Sequence, residues 1–423
     1  MNDPHMPKGL KLSLLAISVL LIVFVFLGGF LPGGVRAGTD ATAYQQMEVY
    51  SEVLQHIQND YVVTPNIPKV TVGALHGLLE GLDPDSSYLT PDEYKRYQAH
   101  ENESKAQVGL RIAKRFGYAT VISVIPGSPA DHAGIADGDV IEAIGSQSTR
   151  VMPLQMIRLQ LDGQPGSTVD FSVIEPSSAT PAPMKLTRTM AQYPALHVDQ
   201  YDSGSILYLK PYDLTPDRVN DILARLRQVQ AGGRQKVLLD LRDATDGDMK
   251  SAVLLANAFL KSGTITTLQG QKFTTQTWKA EPKNFITSAP LVVLVNQGTA
   301  GPAEIVAAAL KGNNRAELVG GRTFGSGAVQ KLMPLPDGAV LFLSVAKYHG
   351  TNGDIIQDTA VTPNVVVAAN NGFGLVTPAT TGPVTKPTAP GAAQPTQPAK
   401  PPVVQPDDQL NKALGLLKQE KAA

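Results

Sequence analysis

Three hydroxyls stand in glycine-rich turns where nucleophilic chemistry could be built. Thr299 lies in Asn296-Gln297-Gly298-Thr299-Ala300-Gly301, and Thr323 and Ser326 lie in Thr323-Phe324-Gly325-Ser326-Gly327. A hydroxyl is a weak nucleophile until a base takes its proton. Lys311 and Lys331 are the lysines nearest in sequence. A lysine serves as that base only if burial brings its pKa from ~10.4 down to roughly 7–8. Lys331 directly follows Gln330, so on a strand it points to the opposite face. Lys311 closes a helical pattern and is expected to face solvent. The chemistry in question is acyl transfer through a hydroxyl, and its candidate bases are poorly placed.

Other chemistries find less support. The chain of 423 residues has no cysteine, which removes disulfides, thiolate catalysis and zinc–cysteine sites. Its seven histidines are scattered without metal-ligand spacing, so neither a metal nor another cofactor is expected. The acids Asp83 and Asp85 flank Pro84 and read as turn formers. Asp240-Leu241-Arg242-Asp243-Ala244-Thr245-Asp246-Gly247-Asp248 looks like a calcium loop but lacks spaced ligands and a closing Glu. A net charge of −1 gives no electrostatic case for nucleic acid, and 43% hydrophobic residues suit a globular core.

From Leu12 to Leu31 the chain is uncharged and mostly apolar, about the length that spans a bilayer. Lys8 and Lys11 precede it, so residues 1–11 are expected in the cytoplasm and the body outside, in the periplasm or an equivalent space. A cleaved signal peptide is the other reading, through Val35-Arg36-Ala37, but the apolar run is longer than such peptides use.

The elements that must position the hydroxyls come next. Met47, Tyr50, Leu54 and Ile57 predict an amphipathic helix over 41–60, and a second is expected over 68–80. From Ser205 onward, buried strands at 206–209, 237–242 and 291–295 alternate with helices at 216–230, 249–260 and 303–310. Continuous apolar strands separated by helices predict a mainly parallel sheet. Residues 371–406 are rich in Pro, Thr, Ala and Gln and read as a disordered linker. Residues 407–423 then hold an amphipathic helix with Leu410, Ala413, Leu414 and Leu417 on one face.

Several of these segments resemble one family. Thr323-Phe324-Gly325-Ser326-Gly327-Ala328-Val329-Gln330 resembles the T-F-G-K-G-x-V-Q motif of the carboxyl-terminal processing peptidases, the tail-specific serine proteases of family S41. Asn296 to Ile305 resembles the family's N-x-G-S-A-S-A-S-E-I, whose middle Ser is the nucleophile. Leu82 to Tyr94 resembles L-D-P-H-S-x-Y-L-x-P-x-E-Y, with Asp85 at the His position. The family's motif Lys is the general base, and its Gln orients that base. The resemblance therefore places Gly301 at the nucleophile and Ser326 at the base, and only Gln330 is retained. Loss of one member of such a unit costs on the order of 10⁶ in kcat, and loss of both little more. Asp240–Asp248 also compares with D-L-R-x-N-P-G-G, whose turn helps form the oxyanion hole. Thr245 and Asp246 replace its Pro and first Gly, and a carboxylate there is expected to oppose an oxyanion.

Residues 105–176 resemble a PDZ domain through Pro126-Gly127-Ser128-Pro129-Ala130 and Ala133-Gly134-Ile135-Ala136-Asp137-Gly138-Asp139. Val108, Gly109, Leu110, Arg111 and Ile112 then correspond to the carboxylate-binding loop and the strand that follows it. PDZ domains add a peptide as a strand and hold its terminal carboxylate on backbone N–H groups.

The expected fold is α/β: a mixed, mainly parallel peptidase-like core over 190–370, an inserted PDZ domain, an N-terminal helical region over 41–104 and one transmembrane helix over 12–31. The expected function is a membrane-anchored, proteolytically inactive homologue that binds protein C-terminal tails, an active paralogue or a second copy of itself. The alternatives are an active peptidase using Thr299, Thr323 or Ser326 with Lys311 or Lys331, and a purely structural envelope protein.

Overall fold

A computed structural model describes residues 37–101, 106–176, 178, 180–232, 235–369 and 406–419. The apolar run 12–31 and residues 371–405 of the expected linker lie outside the described residues. Among the described residues, no helix is long and apolar enough to cross a membrane.

The chain divides into two units, Met1–Thr71 and Val72–Ala423. In the first unit, helix α1 (Ala37–Asp60) covers the expected helical stretch. Its Met47, Tyr50 and Val53 are exposed. Helix α2 (Ile67–Glu80) runs across the division.

The second unit opens with strand β1 (Ser87–Leu89) and helix α3 (Pro91–Glu101). Thr90 caps α3: its Oγ1 accepts from Glu93 N–H at 3.3 Å, and Glu93 returns a carboxylate oxygen to Thr90 N–H at 2.9 Å. Next come β2 (Leu110–Arg115), β3 (Tyr118–Val124), the short helix α4 (Pro129–His132), β4 (Val140–Ile144), helix α5 (Leu154–Leu161), β5 (Thr168–Ile174) and β6 (Ala182–Thr187). They form an antiparallel sheet in the order β2-β3-β4-β5-β6. Strand β2 is an outer strand, and α5 packs near it.

The peptidase-like part contains β7 (His197–Tyr201), β8 (Ile206–Lys210), α6 (Pro216–Gly232), β9 (Lys236–Asp240) and α7 (Met249–Phe259). It continues through β10 (Thr264–Gln269), β11 (Gln276–Lys279), β12 (Leu291–Val295), α8 (Pro302–Gly312), β13 (Glu317–Gly320), β14 (Ala328–Pro334), β15 (Val340–His349), β16 (Val365–Val366) and α9 (Asp408–Gln419). Strands β16-β13-β12-β9-β8-β7 make the central sheet, parallel except for β7 against β8. One face, with Leu207, Leu209, Val237, Leu239, Val293 and Val295, packs on α6, α7 and α8. The other face, with Ile206, Tyr208, Leu238, Val292 and Leu294, packs on Ala413 and Leu417 of α9. Burial on both faces is why these strands read as unbroken apolar runs.

The expectation of a mainly parallel sheet needs correcting for the molecule as a whole. It holds for the central sheet, but most strand pairs elsewhere are antiparallel. A further sheet, β1-β15-β10-β11 with β14 against β15, is antiparallel throughout. Its strands are half exposed and carry few continuous apolar runs, so the pattern that marks parallel strands passed over them.

Leu417 of α9 is fully buried against the sheet. Leu417→Ala should lower unfolding stability by about 2–4 kcal/mol in a urea titration. A change below about 0.5 kcal/mol, the scale of an ordinary surface substitution, would show that α9 does not cover this face.

Candidate active-site region

Gly301 is the residue before α8, with φ 56° and ψ −119°. That backbone is strained for any residue with a Cβ. The space is open, however: a Cβ built there meets only Thr245 O, at 3.5 Å. The Gly301 N–H donates to Glu304 Oε2 at 3.1 Å, and Ser326 N–H donates to the same oxygen at 2.7 Å. The two positions thus each lie one hydrogen bond from the same atom. On Oε1, Glu304 accepts from Gly325 N–H at 2.7 Å and from the Thr323 hydroxyl. Glu304 is fully buried. It is the pin that holds the Asn296–Ile305 turn against the Thr323–Gln330 turn.

Each sequence candidate has a definite place. The Thr299 hydroxyl is fully buried, donates to Leu241 O at 2.8 Å and accepts from Asn296 N–H at 3.0 Å. The Thr323 hydroxyl donates to Glu304 and accepts from Val361 N–H at 2.7 Å. Both are committed to holding turns together. Lys311 donates to Thr362 O at 2.7 Å, and Lys331 is exposed. Gln330 is exposed and donates to Asp85 O.

Ser326 lines a cavity of about 370 Å³ with Asp85, Lys114, Arg115, Arg158, Phe324 and Gln357. Asp83 makes the expected turn bonds, to Asp85 N–H at 2.9 Å and Ser86 N–H at 2.7 Å. Asp85 does not share that role. Its Oδ2 accepts from Gln357 Nε2 at 3.0 Å, and burial, reinforced by Asp83, pushes its carboxyl up. Gln357 Oε1 in turn accepts from Gly327 N–H at 2.7 Å.

The Asp240–Asp248 segment is divided among structural duties. Buried Asp240 accepts from Arg242 Nη2 at 2.6 Å and Tyr208 OH at 2.7 Å. Burial alone raises its carboxyl, but the Arg242 charge and hydrogen bonds outweigh that and hold it low. Asp248 caps α7 through Ser251 N–H at 2.9 Å. Asp246 revises the expectation of a bare charge in the turn. Its carboxylate pairs with Arg111 Nε at 2.5 Å and accepts from Tyr193 OH at 3.0 Å. Arg111 comes from β2, so this ion pair ties the PDZ-like sheet to the turn beside Gly301. Ala113 and Ile122 of the same sheet pack on Ala300 and Phe324, and Arg115 lies over the Phe324 ring at 4.1 Å.

The remaining residues of the expected peptide site are close-packed. Val108, Gly109 and Leu110 are buried, and Gly109 has φ 93°. A Cβ on Gly109 would lie 2.2 Å from the Ser128 side chain, so only glycine fits. Val108 O accepts from Ala130 N–H at 2.9 Å and Gly109 O from Ile125 N–H at 2.8 Å. The N–H groups of Val108 and Gly109 donate to no acceptor among the described residues. Buried backbone donors are rarely left so.

A PDZ-like sheet set over two glycine-rich turns, which are pinned by one buried carboxylate beside a doubly covered α/β sheet, defines the class. Peptidase family S41 matches residues 197–367, and the PDZ domain matches 120–173. A carboxyl-terminal-processing protease of Picosynechococcus sp. is 34% identical over 300 residues, covering 70% of this chain and 72% of that one. A carboxy-terminal-processing protease of Bartonella bacilliformis is 27% identical over 358 residues, covering 82% of each. The solved photosystem II D1 C-terminal processing protease superposes with a TM-score of 0.63 at 24% identity, covering 76% of this chain and 92% of that one. The chain belongs to the carboxyl-terminal processing protease family, S41, and carries a PDZ domain.

Glu304, Gln357, Tyr193 and Arg158 were not singled out from the sequence. Glu304 was the most accessible, since an acid three residues after a helix start is a capping-box signal. Gly301 blurred it by offering no capping side chain.

Burial pushes the Glu304 carboxyl up to about 7 from an ordinary 4.5, against the pull of its four donors. Its folded value exceeds its unfolded one. The stability it contributes is therefore complete below 4.5 and lost as pH rises through about 7. Across that window wild type should lose on the order of 3 kcal/mol relative to Glu304→Gln, measured by denaturant titration at several pH values. Parallel curves for the two proteins would show that Glu304 titrates ordinarily.

Proposed function

We propose that this protein is a non-cleaving member of its family that binds the C-terminal tails of other proteins, held at the outer face of a membrane by residues 12–31. The observation that carries the reading is the contrast between two sites. Gly301 offers no attacking atom where the family resemblance puts the nucleophile, and Ser326 offers no base. The carboxylate loop, by contrast, keeps two buried N–H groups, of Val108 and Gly109, that meet no acceptor among the described residues. Recognition is equipped and cleavage is not. The relocated-chemistry reading loses support because Thr299 and Thr323 spend their hydroxyls on structure and neither Lys311 nor Lys331 is buried beside them.

Binding is tested with the full-length chain and one apolar-ended peptide in free-acid and amidated forms. The free acid should bind at roughly micromolar Kd, and amidation should weaken it at least tenfold, or about 1.4 kcal/mol. Equal binding of the two forms would remove the carboxylate loop from the reading.

Catalysis is probed by Gly301→Ser combined with Ser326→Lys. The Cβ fits at 301, but φ 56° strains it, and the paired Asp246 still occupies the turn. The double variant should show weak turnover of a disordered, apolar-tailed substrate, about 10²–10³ below a family enzyme, the usual cost of an impaired oxyanion site. Turnover equal to an active relative would mean that the Asp246 turn is no obstacle.

A further inference from the structure

A second cavity, of about 220 Å³, lies toward the end of β2 away from the carboxylate loop. Its walls all belong to the second unit. They are residues 73–80 of α2, residues 84–88 leading into β1, Lys114 of β2, and residues 150–153 before α5. No residue of 108–112, of α5 or of the peptidase-like core borders it.

Two glycines keep the space open. Gly73 and Gly77 stand four residues apart on α2 and share a face. A Cβ built on either meets nothing within 4 Å, so neither glycine is there to let another element approach. Glycine is a poor helix former beside alanine, and close packing does not explain these two.

The wall is amphipathic. Tyr88 and Met152 are buried and form its apolar part with Pro84, Val151 and Pro153. Lys114 is 8% exposed. Its Nζ donates to Arg150 O at 3.1 Å and lies 3.6 Å from Glu80 Oε1. An ammonium has a third donor to offer. Burial pulls the Lys114 pKa down, and Glu80 opposes this only in part. Arg150, with its guanidinium over the Tyr118 ring at 5.9 Å, is a second cation. Glu80 is the one carboxylate among the described residues that line the cavity. His76 is held below 6.5 by burial and adds no charge at neutral pH. Glu93 and Asp337, which act on His76 and Tyr88, lie outside the wall and accept from Thr90 and Ala339 N–H. Two cations therefore face one carboxylate.

We propose that this cavity binds a small monocarboxylate with a compact apolar body. The carboxylate meets the Lys114 ammonium and the Arg150 guanidinium and balances the excess of one positive charge. The apolar body lies on Tyr88 and Met152. At protein packing density the space admits roughly ten heavy atoms, so the ligand is a free acid of the branched-chain or single-ring kind. Glu80 and Lys114 also border the Ser326 cavity, so the two cavities share a wall.

The test uses the full-length chain and two probes, isocaproate and hydrocinnamate, each beside its carboxamide, with binding read by titration calorimetry. At least one acid should saturate with a Kd below about 1 mM. Its carboxamide should bind at least about tenfold more weakly, the scale of a charge-assisted hydrogen bond to a buried ammonium. Lys114→Gln should erase that difference. Gly77→Leu puts a side chain on the open face of α2 and should abolish binding. It should unfold no more easily than wild type, because leucine is the better helix former. Arg158→Gln, which touches the Ser326 cavity and not this one, should bind like wild type.

Failure of both acids to saturate overturns the proposal, as does equal binding of acid and carboxamide. A preference for the acid that survives Lys114→Gln overturns it too. Acid binding that survives Gly77→Leu, or that disappears in Arg158→Gln, places the ligand elsewhere and has the same effect. Gly73→Leu covers the same face one turn away and guards against a misfolded Gly77→Leu: loss of binding by the folded variant supports the site, and retention overturns it. None of these outcomes depends on tail binding.

Discussion

One buried carboxylate holds the functional region together. Glu304 has no access to solvent and accepts from Gly301, Ser326 and Gly325 N–H and from the Thr323 hydroxyl. Burial disfavours its charged form, and the four donors offset part of that cost. The four donors are the ends of two turns far apart in sequence. Each turn is glycine-rich because its backbone N–H groups must converge on one side chain. The two turns are therefore held together by backbone donors, with Gly301 and Ser326 at the positions that the family resemblance assigns to the nucleophile and base. A structural constraint of this kind does not depend on which side chains stand at positions 301 and 326, because the donors there are backbone N–H groups.

The PDZ domain is joined to that region by polar and apolar contacts of opposite character. Arg111 and Tyr193 converge on the Asp246 carboxylate, while Ala113 and Ile122 bury against Ala300 and Phe324. The acid in the turn is best understood with its partner. Alone it opposes anion binding, but with Arg111 it forms a neutral tie between two sheets. The same strand, β2, also has an uncovered outer edge, and just before it the N–H groups of Val108 and Gly109 donate to no acceptor among the described residues. The tie to the peptidase-like core and the uncovered strand edge are therefore built on one strand.

The parts of the fold legible in the sequence were those under a single strong constraint. Leu291–Val295 is buried on both faces of a parallel sheet and admits only an apolar run. Ser128-Pro129 and Gly134 punctuate a short helix by capping and by positive φ. The antiparallel strands β10, β11, β14 and β15 were not legible, because their exposure varies along each strand and their pairing is set by partners distant in the chain. Gly301 and Ser326 were found through motif spacing, and the structure brings them to one oxygen of Glu304. The ion pair of Asp246 with Arg111 was not legible, because the partner lies 135 residues away and no local pattern connects them. Arg158 gives no sequence signal, since a helical arginine is ordinarily a solvated surface residue.

The account depends on binding without cleavage. The most direct measurement is intact-mass analysis of an apolar-tailed, disordered substrate recovered after prolonged incubation with a stoichiometric amount of the full-length protein, with wild type beside Thr299→Ala and Ser326→Ala. The account predicts that the substrate co-purifies with all three proteins at its original mass. Shortened substrate from wild type that is absent from either variant would contradict it and identify the hydroxyl responsible.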